Sequence, residues 1–153
     1  MKSLELRVPP LMVFAVFATL DVAIGFALPQ FDLPFGGHRF VALALLVLGV
    51  AIAIAGVLAF RRARTSVDPL TPTKATSIVA TGVYSVSRNP MYLGMALALL
   101  GVAVWVSSVP GYLLVPVFCL YITRFQIQPE ERALVAAFGE PFLAYMGEVR
   151  RWV

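Results

Sequence analysis

The sequence predicts an all-α integral membrane protein with about four transmembrane helices, and three observations carry that expectation. Hydrophobic residues make up 60% of the 153-residue chain and charged residues 13%, with a mean hydropathy of +0.88. A soluble chain this short could not hide so much apolar surface. The apolar residues gather into runs long enough to cross a hydrocarbon layer about 30 Å thick. Once those runs are threaded as four spans, Lys and Arg fall almost wholly on one side.

The first span is expected at residues 11–28, "LMVFAVFATLDVAIGFAL", with Pro9 and Pro10 at its start, where a helical turn has donors to spare. Lys2 and Arg7 precede it as they would in a signal peptide. The run is nevertheless longer than a cleavable apolar region and no small-x-small site follows, so it reads as a retained span. The second span, 40–60, is 21 residues without a charge. The third runs from about 91 to 106 and the fourth from about 111 to 123, joined by "SSVPG" as a turn. Pro116 is expected to kink the fourth, and the pair reads as a short helical hairpin.

The loop 61–90 is rich in Pro, Thr and Ser and has no long helical period. The tail 124–153 does have one: Leu134, Phe138, Phe142 and Tyr145 recur at three- and four-residue spacing. Pro129 suits a first helical position, and Glu130 and Glu131 would complement the dipole of a helix starting there. Gly139 and Pro141 are expected to break the tail into two short helices that lie on the membrane surface or cap the bundle. Residues 1–153 together read as a single membrane domain.

Lys2, Arg7, Arg61, Arg62, Arg64, Lys74, Arg88, Arg124, Arg132, Arg150 and Arg151 share one side, and Arg39 stands alone on the other. Eleven against one predicts a multi-pass protein of an inner or plasma membrane, with both termini and the 61–90 loop cytoplasmic. The formal charge of +4 is then a topology signal with some attraction to anionic membrane lipid, and it needs no nucleic acid. The single Cys119 and single His38 leave no intramolecular disulfide and no Cys- or His-rich metal cluster to expect.

Candidate chemistry concentrates in "GVYSVSRNPMYLG", residues 82–94, at the mouth of the third span. Arg88 fits either an interfacial anchor or a guanidinium fork for a carboxylate or phosphate. Tyr84 and Tyr92 fit an interfacial aromatic belt, and Gly82 and Gly94 permit close backbone approach. Glu130 and Glu131 fit helix-start charges, or a carboxylate for an amino or sulfonium group. Neighbouring helical residues point about 100° apart, so only one of the two is expected to face a pocket. Asp21 is expected mid-span, where a charge costs about 2.5–3.5 kcal/mol on insertion scales. Protonation and a hydrogen bond to Thr19 or a neighbouring helix would account for it.

The order of these segments carries more than any one of them. "GVYSVSRNPMYLG", then an apolar hairpin, then "EERALVAAFGEPFLAYMGEVRRW" resembles the isoprenylcysteine carboxyl methyltransferase family and its bacterial relatives, some of which methylate phospholipid amines or small thiols. The stretch "VDPLTPTKATSIVATG" is similar to the family's lead-in, so the likeness covers roughly residues 65–152. The resemblance implies a small helical membrane methyltransferase that uses S-adenosylmethionine, with a lipophilic or small acceptor carrying a carboxylate, thiol or amine. It implies a cofactor pocket shaped by Tyr84, Asn89, Pro90, Tyr92 and Gly94, with Glu130 or Glu131 holding the cofactor's charged portion. Arg88 would orient the acceptor carboxylate or bind the cofactor's own, so Arg88 and Glu131 are the candidate catalytic pair. Asn89 stands where many relatives have His, and an amide cannot accept a proton. Membrane sterol reductases, which use NADPH, share an Arg-x-Pro-x-Tyr motif but have more spans. A non-enzymatic membrane scaffold is the remaining alternative.

Overall fold

The computed structural model describes residues 5–64, 70 and 75–153; Lys2, Lys74 and part of the 67–82 lead-in lie outside the described residues. The helices are α1 (Pro10–Ala27), α2 (His38–Arg62), α3 (Pro90–Val106), α4 (Val109–Ile122), α5 (Gln128–Phe138) and α6 (Glu140–Glu148). A π-helical turn, Thr123–Ile127, joins α4 to α5, and short 3-10 turns occupy Pro29–Phe31 and Gly82–Ser85. The described residues form no strand; Asp32 and Ser108 make one isolated bridge. Three segments are long and apolar enough to cross a membrane: Pro10–Ala27, His38–Arg62 and the continuous run Val109–Phe138. The 17-residue α3 is shorter, about 25 Å at a helical rise of 1.5 Å per residue.

Why α2 and α3 lie side by side can be read from their small residues. A Cβ built on Gly49 would come 2.5 Å from the Gly94 carbonyl oxygen, and one on Gly94 would come 2.4 Å from that of Gly49. Gly101 meets Leu46 and the Ala42 carbonyl in the same way. Without side chains at these positions the two backbones approach closely, the usual means of helix association in lipid. Val13 of α1, Tyr92, Ala96 and Leu99 of α3, Phe118 and Ile122 of α4 and Ile127 form the main buried cluster. Within it Phe17 meets Phe118 edge to face at 5.6 Å.

The α3–α4 corner is tight. Ser107 takes φ 56° as the left-handed cap of α3, and Ser108 accepts the Gly111 N–H at the start of α4. The Leu33 N–H donates to the Ser107 carbonyl at 2.9 Å, which ties the α1–α2 connection to this corner. Arg39 lies over the Trp105 ring at the same end.

Two expectations are corrected. The tail helix does not start afresh at Pro129, because α4 runs on through the π turn into α5, with the Gln128 N–H reaching the Thr123 carbonyl. Pro129 has no N–H to give the carbonyl of Phe125 four residues earlier. That carbonyl accepts from the Leu6 N–H at 3.1 Å instead. Beside it the fully buried Gln126 donates Nε2 to the Val8 carbonyl at 2.6 Å. Trp152 Nε1 donates to Thr123 Oγ1 at 3.2 Å. The π turn thus anchors residues near both ends of the chain.

The second correction concerns Asp21. It is fully buried in α1, seated over Gly111, where a Cβ would fall 1.9 Å from its Oδ1. Neither carboxyl oxygen has a hydrogen-bond partner among the described residues, so the expected bond to Thr19 or a neighbouring helix is not made. Asp21→Asn keeps the shape and removes the charge. Thermal unfolding in detergent should change by no more than about 1 kcal/mol; a larger loss of stability would show that the ionised group is part of the packing.

Candidate functional site

The site is built where α3 begins. The buried Ser87 hydroxyl accepts the Asn89 N–H at 3.1 Å, which turns the chain sharply into Pro90 at the first position of α3. Pro90 suits that position because its missing N–H would have no partner there. The C-terminal segment lies against this turn. The Arg88 N–H donates to the Arg150 carbonyl at 3.0 Å, and Asn89 Nδ2 donates to that of Arg151 at 2.9 Å. Tyr145 of α6 donates its hydroxyl to the Tyr84 carbonyl at 2.7 Å. The tail therefore folds back onto residues 84–89.

Glu131 is the centre of the charge cluster. Its Oε1 accepts from Arg88 Nη2 at 2.9 Å and from Arg151 Nε at 3.1 Å, and its Oε2 accepts from Arg151 Nη2 at 2.7 Å. Arg88 also donates Nη1 to the Met146 carbonyl at 2.9 Å, while its Nε is buried with no partner among the described residues. The Arg88 and Glu131 side chains are only 9% and 11% exposed. A carboxylate this far from water is tolerable because two forked guanidiniums satisfy both its oxygens.

Glu130 is engaged separately: its Oε1 accepts a short hydrogen bond from the buried Tyr92 hydroxyl. Both acidic residues thus find interior partners. The adjacent positions diverge, but the folded-back tail meets one and the first turn of α3 meets the other. Tyr84 is buried with its ring edge to face on Phe60 at 5.2 Å, and its hydroxyl has no partner among the described residues.

Burial lifts the Tyr84 hydroxyl well above the ordinary phenol range, and the neighbouring Tyr145 and Glu130 add to the effect. Burial also pushes Tyr145 up to about 12, partly offset by Arg88. Both remain protonated at neutral pH, and Tyr145 serves as a donor to the Tyr84 carbonyl. The hydrogen bonds to Glu131 raise Arg151 further, so its charge is secure.

A cleft of about 380 Å³ opens beside the cluster, lined by Gln128, Glu131, Arg132, Val135, Met146 and Arg151. That is room for a small molecule. Of the residues singled out in the sequence, the structure brings Tyr84, Arg88, Asn89, Pro90, Tyr92, Glu130 and Glu131 to this end of the bundle. Gly94 lies one turn into α3, against Gly49, in the α2–α3 seam. Sequence reasoning missed Arg151 as a partner of Glu131 and Arg132 as a wall of the cleft. Both count toward the charge asymmetry, and only the repeated basic ending "RRW" singles out the first.

An all-helical membrane protein with a polar, charge-lined cleft at one end of its bundle is the class these features define. The phospholipid methyltransferase family matches residues 38–141, more than half of the chain, and the chain belongs to that family. An uncharacterized protein of Haemophilus influenzae is similar, 40% identical over 63 residues that make up 41% of this chain and 100% of that protein. No solved structure matches. Membership brings a membrane methyltransferase chemistry with it, and the three long apolar helices agree with a multi-pass membrane protein. The matched region runs from the start of α2 to the start of α6, so it holds Arg88, Glu130 and Glu131 but not Glu5 or Arg151.

Proposed function

We propose that this chain transfers methyl groups from S-adenosylmethionine to a lipophilic or small acceptor at the end of the bundle where Arg88, Glu130 and Glu131 meet. The observation that carries the reading is the joining of two motifs 43 residues apart through the Arg88–Glu131 pair, in a chain of a methyltransferase family. The residues present suit such a donor. Glu130 is paired with no cation among the described residues, and with the rings of Tyr84 and Tyr92 it suits a sulfonium. Val135 and Met146 offer apolar wall for an adenine, and Gln128 offers hydrogen bonds.

In this reading Asn89 and Pro90 shape the pocket by fixing the turn into α3. Gly94 contributes by letting α2 close on α3. Arg88, whose Nε N–H is unclaimed among the described residues, orients a carboxylate of acceptor or cofactor, and Glu131 holds Arg88 in place. The donor supplies an electrophilic methyl on a positively charged sulfur. Passing it to a carboxylate or thiolate merges opposite charges, so a site of low polarity need not oppose the step. What the chain then provides is alignment, worth about 7–11 kcal/mol in ideal intramolecular cases. An amine acceptor must first lose a proton; Asn89 cannot take it, and the Glu130 carboxylate is the candidate base.

The membrane arrangement belongs to the same proposal. Residues 1–153 form one unit of four spans, α3 included, with both termini and the site cytoplasmic by the charge asymmetry. The test is incubation of purified protein with methyl-labelled S-adenosylmethionine and, separately, phospholipid extract, an isoprenylcysteine analogue and a small thiol. Label should enter one acceptor class and fall at least about tenfold in Glu130→Gln, which keeps the shape but not the ionisable carboxyl. Transfer undiminished in Glu130→Gln would remove that residue from the site.

A further inference from the structure

Residues 5–8 lie outside the matched region, yet they are fastened to the helix that carries Glu130 and Glu131. Three contacts hold them: the Leu6 N–H on the Phe125 carbonyl that Pro129 leaves unclaimed, the Val8 carbonyl on the buried Gln126, and Glu5 on two arginines. Glu5 Oε1 accepts from Arg124 Nη1 at 2.7 Å, and Glu5 Oε2 accepts from Arg132 Nη2. Arg132 is also a wall of the cleft. One nitrogen of its guanidinium is given to Glu5, and the planar fork leaves other N–H groups for a second anion.

The charge balance points the same way. Among the described residues, the ion pairs at this end set Arg88, Arg124, Arg132 and Arg151 against the two carboxylates of Glu5 and Glu131. Four guanidiniums on two carboxylates leave positive charge in excess beside a cleft large enough for a small molecule. Arg88 is the most enclosed of the four, and Arg151 is spent on Glu131 through two nitrogens. Arg132, 58% exposed and held by a single ion pair among the described residues, is the cation of the four with most capacity left.

We propose that Arg132 receives the carboxylate of the methyl donor's amino-acid tail, and that Glu5 is a positioning residue that turns the Arg132 guanidinium toward the cleft. The inference rests on the S-adenosylmethionine reading above and adds to it a binding residue and an N-terminal strap. Arg132 then selects for ligands with an anionic tail, whereas the adenosyl portion is held by groups the strap does not touch.

Two ligands that differ in that tail separate the ideas. S-adenosylhomocysteine has the carboxylate, and 5′-methylthioadenosine lacks the whole amino-acid portion. Calorimetric titration of the full chain in detergent should show wild-type binding of both. Arg132→Gln should weaken S-adenosylhomocysteine about tenfold to hundredfold, the worth of a charge-assisted hydrogen bond, and leave 5′-methylthioadenosine within about twofold. Glu5→Gln should produce a smaller loss with the same selectivity, which a merely structural strap would not. Equal losses for both ligands, or none, in Arg132→Gln would overturn the anion role. Tighter S-adenosylhomocysteine binding in Glu5→Gln would overturn the positioning role by showing that Glu5 competes with the ligand. Binding of neither ligand by folded wild-type protein would overturn the donor reading and this inference with it.

Discussion

Arg88→Ala should lower methyl transfer to about one hundredth of wild type or less in protein that still inserts into the membrane. Arg88 joins three things: Glu131 through Nη2, the Met146 carbonyl through Nη1, and the Arg150 carbonyl through its backbone. Alanine keeps only the last. Removing one partner of a buried ion pair costs about 3–5 kcal/mol. Glu131 would keep Arg151, so the stability loss should sit at or below the lower end of that range. The loss of turnover should be larger, because α6 loses its register on the site when Met146 is released. Arg88→Lys should rescue little, since a single ammonium cannot present the fork that spans Glu131 and Met146 together. Assay of labelled methyl transfer beside a thermal unfolding scan separates the two effects, and near-normal turnover in Arg88→Ala would remove it from the site.

Gly94→Leu should be the most destabilising single change in the bundle. Even the first carbon of a side chain would sit 2.4 Å from the Gly49 carbonyl oxygen and 2.9 Å from the Ala53 nitrogen. Those are backbone atoms in the middle of a 25-residue helix and cannot swing aside. Overpacking commonly costs about 1–3 kcal/mol and more where nothing yields, which exceeds the roughly 1 kcal/mol that a helix gains on losing glycine. Gly147→Ala is the control, because a Cβ there meets nothing within 4 Å. It should be neutral or slightly stabilising. Unfolding of the three proteins in one detergent checks the pair; equal stability of Gly94→Leu and wild type would contradict the seam.

Much of this fold is legible in the sequence because its elements are defined by solubility. The charge-free run Phe40–Phe60 has no alternative to a buried or lipid-facing helix, and α2 extends it by two residues at each end. The break at Gly139 is equally plain: it takes φ 60°, and α5 ends where it stands. What the sequence hides is continuity. Pro129 looks like a helix start, yet the helix reaches it from Thr123 by a π turn, whose formation depends on distant partners at Leu6 and Val8. No local signal encodes that.

The candidate site is legible to a similar depth. The family likeness locates Arg88, Glu130 and Glu131 because their motifs are local. Pairing is not local. Glu131 chooses Arg151 twenty positions later, and Glu5 chooses Arg132 from the far end of the chain. Gly94 belongs to a local motif too, and only the fold shows that it packs against Gly49 and Ala53 in the α2–α3 seam.

The central claim is that this end of the bundle holds S-adenosylmethionine. Calorimetric titration of S-adenosylmethionine into folded, detergent-purified protein tests it most directly, with Arg88→Ala and Glu130→Gln measured alongside. The account predicts saturable binding near one ligand per chain, weakened in both variants. No saturable binding by the folded wild-type protein, or binding unchanged in both variants, would contradict it.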